Sequence, residues 1–246
     1  MTLGTQYPHA PITEAIIDIQ CVASCALEEL ANVNADEGSS YPYTENMQAA
    51  RGQMVLSLDA APIASATSEA LGFLHRSTDR LQIYQARKNG FTFSRLAEYT
   101  SWDEISKEAR RLWDKYRQVA QPQGINRIAV RYVNRLDLPL PLQDFGVYLK
   151  TTPQLSSDLP QGLLGYFMQL SLPLPESHSI CVINETIIEP PVKPNTVPIV
   201  LDIDVFRLTE LPASEADLWS QLELLRHEKN RVFEACITDE ARRLFQ

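Results

Sequence analysis

Apolar positions along this chain switch from strand-like runs to helical spacing, and they do so twice. Residues 14–22 read as a first strand, with Asp18 set between Ile17 and Ile19. Residues 26–38 are polar and acidic, and the stretch to Tyr43 reads as a loop or short helix. Short β-rich runs follow at 55–58, 81–84 and 91–93, separated by turn-forming clusters at 59–62 and 88–90. The cluster Lys88-Asn89-Gly90, lying between two of these runs, predicts a hairpin. Ser101 and Glu104 then form a capping box, in which the serine accepts from the amide of Glu104 and the carboxylate reaches back. Behind it Ile105, Ala109, Leu112, Trp113 and Tyr116 recur every three or four residues, the apolar stripe of a helix that Pro122 and Gly124 stop. The opposite face carries Lys107, Arg110, Arg111, Lys115 and Arg117. Glu104, Glu108 and Asp114 interleave with them, which reads as i,i+4 pairing on a solvated face.

The pattern then restarts. Residues 127–138 alternate strictly, and 145–149, 165–172, 179–188 and 197–206 read as further strands. Proline-rich joints separate them: Pro139 and Pro141, Pro173 and Pro175, and the segment 190–198. A second long helix opens at Ser214 with Asp217 at the capping-box position. Leu218, Leu222, Leu225, Val232, Phe233 and Ile237 form its buried stripe, and Thr238-Asp239 restarts a last turn that ends at Phe245. Strands, capped helix, strands, capped helix predicts an α+β fold of antiparallel sheet with two long amphipathic helices packed on one face. The order also suggests two similar β-rich/α halves, 1–123 and 124–246, meeting near Gly124 as one continuous domain or two.

Composition narrows the class. The chain has 246 residues, 44% hydrophobic and 22% charged, in the range of soluble globular proteins able to bury a substantial core. With 22 basic and 31 acidic residues the net charge is −9, which repels a bare phosphate backbone and argues against nonspecific nucleic-acid binding. The first residues lack a basic stretch followed by an apolar one, and no apolar run approaches the roughly 20 residues that span a bilayer. Neither a signal peptide nor a membrane partner is expected. Cys21, Cys25, Cys181 and Cys236 have no metal-ligand spacing and read as buried free thiols in a reducing cytoplasm.

The most pointed chemistry is on two strands. Arg127, Arg131 and Arg135 share one face of a strand, and Asp202 and Asp204 share one face of another. These five residues are the candidate ligand-binding set. They can form an anion- or phosphate-binding ladder, or a cleft in which carboxylates act as acid and base. They can also be cross-strand ion pairs. Asp202-x-Asp204 has no further His or Glu at a ligand spacing, so no metal is expected. His9, His75, His178 and His227 pair neither with one another nor with a cysteine or serine motif, and read as surface residues. Gly-x-Ser-x-Gly, His-Glu-x-x-His, a phosphate-binding glycine loop and the dinucleotide fingerprint are all missing, so neither a catalytic residue nor a cofactor is indicated. Trp102, Trp113 and Trp219 fall at or near helix starts and on apolar stripes, as core residues do.

Three segments taken together carry a resemblance: Pro8-x-x-Pro11-Ile12-x-Glu14-Ala15, the strand Arg131-Tyr132-Val133-Asn134-Arg135, and the run from Leu201-Asp202-Ile203-Asp204 through Asn230-x-x-Phe233-Glu234-x-x-Ile237-Thr238 to Phe245. In this order they span nearly the whole chain, which thereby resembles a sporadically distributed bacterial protein family of unknown function. The resemblance implies no catalytic residues. Its patchy occurrence is similar to that of accessory genes, including phage-defence and toxin–antitoxin modules. The sequence therefore points to a non-enzymatic accessory interaction protein, self-associating or paired with a gene-neighbour protein. The alternative is a nucleotide- or phosphate-ligand-binding protein or enzyme that uses the arginine–aspartate face.

Overall fold

A computed structural model describes residues 7–55, 63–189, 191–211 and 215–246. The first part of the chain forms β1 (Ile12–Cys21), a 3₁₀ turn (Glu28–Asn34), β2 (Tyr43–Val55), β3 (Ile63–Arg76), β4 (Gln82–Arg87), β5 (Gly90–Leu96) and helix α1 (Trp102–Ala120). The second part forms β6 (Ile125–Pro139), a 3₁₀ turn (Phe145–Val147), β7 (Phe167–Leu174), β8 (Ser179–Ile187), β9 (Thr196–Leu211) and helices α2 (Glu215–Cys236) and α3 (Asp239–Arg243). Among the described residues all nine strands join one antiparallel sheet, in the order β2-β3-β4-β5-β1-β6-β9-β8-β7. The protein is α+β.

The two parts of the chain meet inside this sheet, where β1 and β6 run antiparallel with Ile17 opposite Val130 and Asp18 opposite Ala129. Strand alternation sorts the side chains sharply. Ala15, Ile17, Ile19, Phe91, Phe93, Ile128, Val130, Tyr132, Ile203 and Val205 are buried, and the register puts them all on one face. On this face Phe91 meets Trp113 and Tyr116 of α1, with ring centres 5.9 and 5.8 Å apart. Tyr132 meets Lys229 of α2, whose Nζ stands 3.5 Å from the ring centre. The other face holds Asp18, Thr92, Arg127, Arg131, Asp202 and Asp204.

Local signals explain most boundaries. The β4–β5 hairpin turns through Lys88 and Asn89, since Arg87 pairs with Gly90. Gly90 has φ +146°, and a Cβ there would lie 2.4 Å from the Ile19 carbonyl oxygen, so β1 leaves room for glycine alone. Ser101 caps α1 by accepting from the Glu104 amide at 3.3 Å. The apolar stripes expected for α1 and α2 are all buried, as are Trp102, Trp113 and Trp219. Thr238 caps the last helix by accepting from Ala241 N. The expected cap at Ser214, and the run at 55–58 beyond Val55, lie outside the described residues. Among the described residues no helix is long and apolar enough to cross a membrane.

Several expectations need correction. Residues 145–149 are not a strand: Asp144 accepts from Gly146 N and caps a 3₁₀ turn, and Leu149 makes only an isolated bridge to Ile237. The basic face of α1 is not simply solvated. Arg111 grips the buried carboxylate of Glu37 with both terminal guanidinium nitrogens, at 2.6 and 2.9 Å, and Lys115 adds a third contact at 3.0 Å. These contacts, led by the Arg111 hydrogen bonds, hold the Glu37 carboxyl below its usual range. The acidic segment before β2 is thus tied to α1. His75 is not a surface residue either. It is 1% exposed on β3, stacked on Tyr84 with ring centres 4.6 Å apart, because its strand position faces the core. Cys21, Cys181 and Cys236 are buried free thiols, and Cys25 is half-buried.

Candidate functional site

The expected arginines and aspartates do share a face, and the sheet register decides what they touch. Arg127 projects from β6 between two carboxylates: Nη1 is 3.0 Å from Asp18 Oδ2 on β1, and Nη2 is 2.9 Å from Asp204 Oδ2 on β9. Its guanidinium carbon also lies 4.4 Å from the centre of the Phe206 ring. Asp18 receives two further donors at its other oxygen, Arg87 Nη2 from β4 and the Thr92 hydroxyl from β5, both at 2.7 Å. One continuous network therefore runs Arg87–Asp18–Arg127–Asp204.

A second network begins four residues along β6. Arg131 binds Asp202 bidentately, Nε to Oδ1 and Nη2 to Oδ2, both at 2.7 Å, the fork geometry in which an arginine–carboxylate pair is strongest. Asn184 Nδ2 on β8 donates to Asp202 Oδ2 at 3.0 Å, and Gln169 Nε2 on β7 donates to Asn184 Oδ1 at 2.7 Å. The two networks together cross from β4 to β7. Arg135 joins neither. Its Nε binds Asp137 Oδ1 of its own strand at 2.9 Å, because the residue opposite it on β9 is Val200.

The electrostatics are those of closed pairs. Arg87, Arg127 and Arg131 face Asp18, Asp202 and Asp204, three charges of each sign. Asp202 is buried, with its side chain 7% exposed, whereas Arg131 keeps 45% of its side chain in contact with solvent. Burial pushes the Asp204 carboxyl up, against the pull of Arg127 and Arg131. Hydrogen bonding to Asp202 holds Arg131 above its ordinary value. A phosphate arriving here would have to displace a carboxylate already held by two guanidinium nitrogens. Among the described residues no group of three or more His, Cys, Asp or Glu side chains is placed to hold a metal ion.

Four partners in these networks leave no signal in the sequence: Arg87, Thr92, Asn184 and Gln169. Only the register brings them in, and Arg87 reaches Asp18 on β1 across the intervening strand β5. Asp18 did leave a signal, as a carboxylate between two isoleucines in a strand.

A concave feature lies away from the ladder. An open groove of about 490 Å³ runs between α1 and α2, lined by Trp102, Ser106, Arg110, Trp219, Ser220 and Glu223. Arginine planes already occupy its tryptophans: Arg110 stands over Trp219 at 5.1 Å and Arg226 over Trp102 at 5.8 Å. No family model, curated protein or solved structure matches the chain.

Proposed function

We propose that this chain is a non-enzymatic interaction protein whose working surface is the ladder-bearing face of its sheet. One observation carries the reading: Arg127 and Arg131 each end on carboxylates of the sheet itself, so the arginines form closed pairs and no anion-binding pocket. Such a network presents a charge-balanced surface, which attracts a polyanion far less than an unpaired row of arginines would. Both long helices back the same face, supported by the contacts of α1 with Phe91 and of α2 with Tyr132, and the opposite face stays open to a partner. The chain is further read as two similar halves, each a strand, a short turn, a meander returning beside that strand, and a helix.

In a bacterial setting the partner is a protein encoded beside this one, and the role is accessory. Native mass spectrometry after co-expression with the flanking genes tests this, and a stoichiometric complex with a neighbour is the expected result. A protein that stays alone and retains a small anion would overturn it. The alternative, a nucleotide- or phosphate-ligand protein built on Arg131 and Asp204, would gain support if inorganic phosphate or ATP bound the wild type and lost affinity in Arg131→Ala.

A further inference from the structure

The two rims of the sheet differ in chemistry. One is β2, whose residues include the charged Glu45; the other is β7, which contains no charged residue. The uncharged stretch is longer than the strand. From Leu159 to Pro175 the chain runs 17 residues without Asp, Glu, Lys or Arg, in a protein of net charge −9. The same stretch concentrates exposed apolar surface: Leu164 is 96% exposed and Phe167 68%, with Leu159 and Leu172 also open to solvent. Among the described residues β7 pairs with β8 alone, and no backbone hydrogen bond reaches its outer side. Sheet edges of this kind are usually blunted by charge, above all lysine, because an unpaired row of amides and carbonyls templates another strand. Only Pro173 interrupts this one, leaving Phe167–Leu172 free to pair.

We infer that β7 is the self-association edge of this protein: two copies pair their β7 strands antiparallel about a twofold axis, so that two nine-stranded sheets join into one. The charge balance selects a second copy as the occupant. Two chains of −9 repel, and the repulsion is least where two uncharged surfaces meet, as this rim allows on both copies. An antiparallel strand pair is self-complementary, as a twofold interface requires. Exposed Phe167 on one face of β7 and Leu172 on the other are then covered from both sides, with Leu164 beside them. The inference rests on the interaction-protein reading and names one partner for it, while the ladder face stays free for another.

Light scattering after size exclusion tests the edge. The wild type is expected to run as a dimer at micromolar concentration, and more fully so in 0.5 M salt, since screening weakens the repulsion between like-charged copies. The double variant Phe167→Lys with Leu172→Lys should be monomeric with an unchanged circular dichroism spectrum. Glu45→Lys, on the opposite rim, should remain dimeric. A monomeric wild type, or a dimer that survives the two lysines, overturns the inference. Should the lysine variant misfold, hydrogen exchange on the wild type decides: amides of Phe167–Leu172 gain protection on raising the concentration, and no gain there sinks the idea. A neighbour protein captured by a monomeric wild type would leave the interaction reading standing without this edge. A dimer that captures no neighbour would do the reverse.

Discussion

The guanidinium carbon of Arg110 lies 5.1 Å from the centre of the Trp219 ring, and the relation is returned by Arg226, 5.8 Å from the ring centre of Trp102. Each arginine belongs to one long helix and each tryptophan to the other. Trp102 opens α1 eight residues before Arg110, and Trp219 lies near the start of α2 seven residues before Arg226. The exchange therefore repeats with nearly the same spacing in each direction. An arginine plane on a partly desolvated tryptophan contributes about 0.5–2 kcal/mol.

Breaking this exchange should loosen the helices without disturbing the sheet. Arg110→Ala is expected to cost about 1 kcal/mol, and a double-mutant cycle with Trp219→Leu should return a coupling of about 0.5–1 kcal/mol. Urea unfolding of the four proteins measures it. A coupling near zero would mean the two side chains are adjacent without attracting one another.

The Arg131–Asp202 pair should respond asymmetrically. Arg131→Ala strands a carboxylate that is only 7% exposed, leaving Asn184 as its remaining side-chain donor, and should cost about 2–4 kcal/mol. Asp202→Ala leaves an arginine that already reaches solvent and can be rehydrated, so its cost should be smaller, about 1–2 kcal/mol. The double variant should resemble Asp202→Ala. If the aspartate change proved the more damaging of the two, the carboxylate would be doing something beyond holding Arg131.

How far the sequence foretold this arrangement depends on the range over which each signal acts. The Ser101 cap, the Lys88-Asn89-Gly90 turn and the alternation in β6 are local, and all three were legible. The long β2–β3 hairpin was not. Tyr43–Val55 lacks a clean alternation of apolar and polar residues and is poor in β-branched ones, so its strand state comes from pairing with β3. Residues 145–149 failed in the opposite sense, because an apolar run with the look of a strand was captured by Asp144 as a capped turn. For the site, the shared face of Arg127 and Arg131 follows from their even spacing. That Arg127 reaches Asp18 while Arg135 falls back on Asp137 depends on the register of β1, β6 and β9, which no single segment encodes.

His75 gives the fold a measurable response to acid. Burial between Tyr84 and Phe73 pushes its pKa down to about 4 from 6.5, with Nδ1 3.0 Å from the Thr44 hydroxyl. Below pH 6.5 the unfolded chain takes up a proton that the folded protein refuses, so this stability is full above pH 6.5 and is lost as pH falls toward 4. The slope for one site is at most about 1.4 kcal/mol per pH unit. His75→Phe keeps the stacking and removes the titration. The stability difference between wild type and variant should be flat above pH 6.5 and fall below it; parallel curves throughout would show that His75 takes up its proton as readily in the folded protein as in the unfolded chain.

Lys229 is a charge placed where a charge is costly. It is 5% exposed, with Nζ 3.5 Å from the centre of the Tyr132 ring. Burial pushes its pKa well below the ordinary lysine value, Arg226 adds to the effect and Glu234 opposes it. The unfolded chain therefore holds this proton more tightly, and stability should rise with pH until the unfolded lysine itself deprotonates near 10.5. Lys229→Met keeps the length of the side chain and removes the charge, and at neutral pH it should stabilise the protein by on the order of 1 kcal/mol. That gain should shrink as pH rises toward 10.5, because the proton that folding must remove is held less and less favourably by the unfolded chain. Urea unfolding at pH 7 and pH 10 separates the two accounts of this residue. A variant destabilised by several kcal/mol at pH 7 would show that the ammonium is retained and that its attraction to the Tyr132 ring outweighs the cost of burying it.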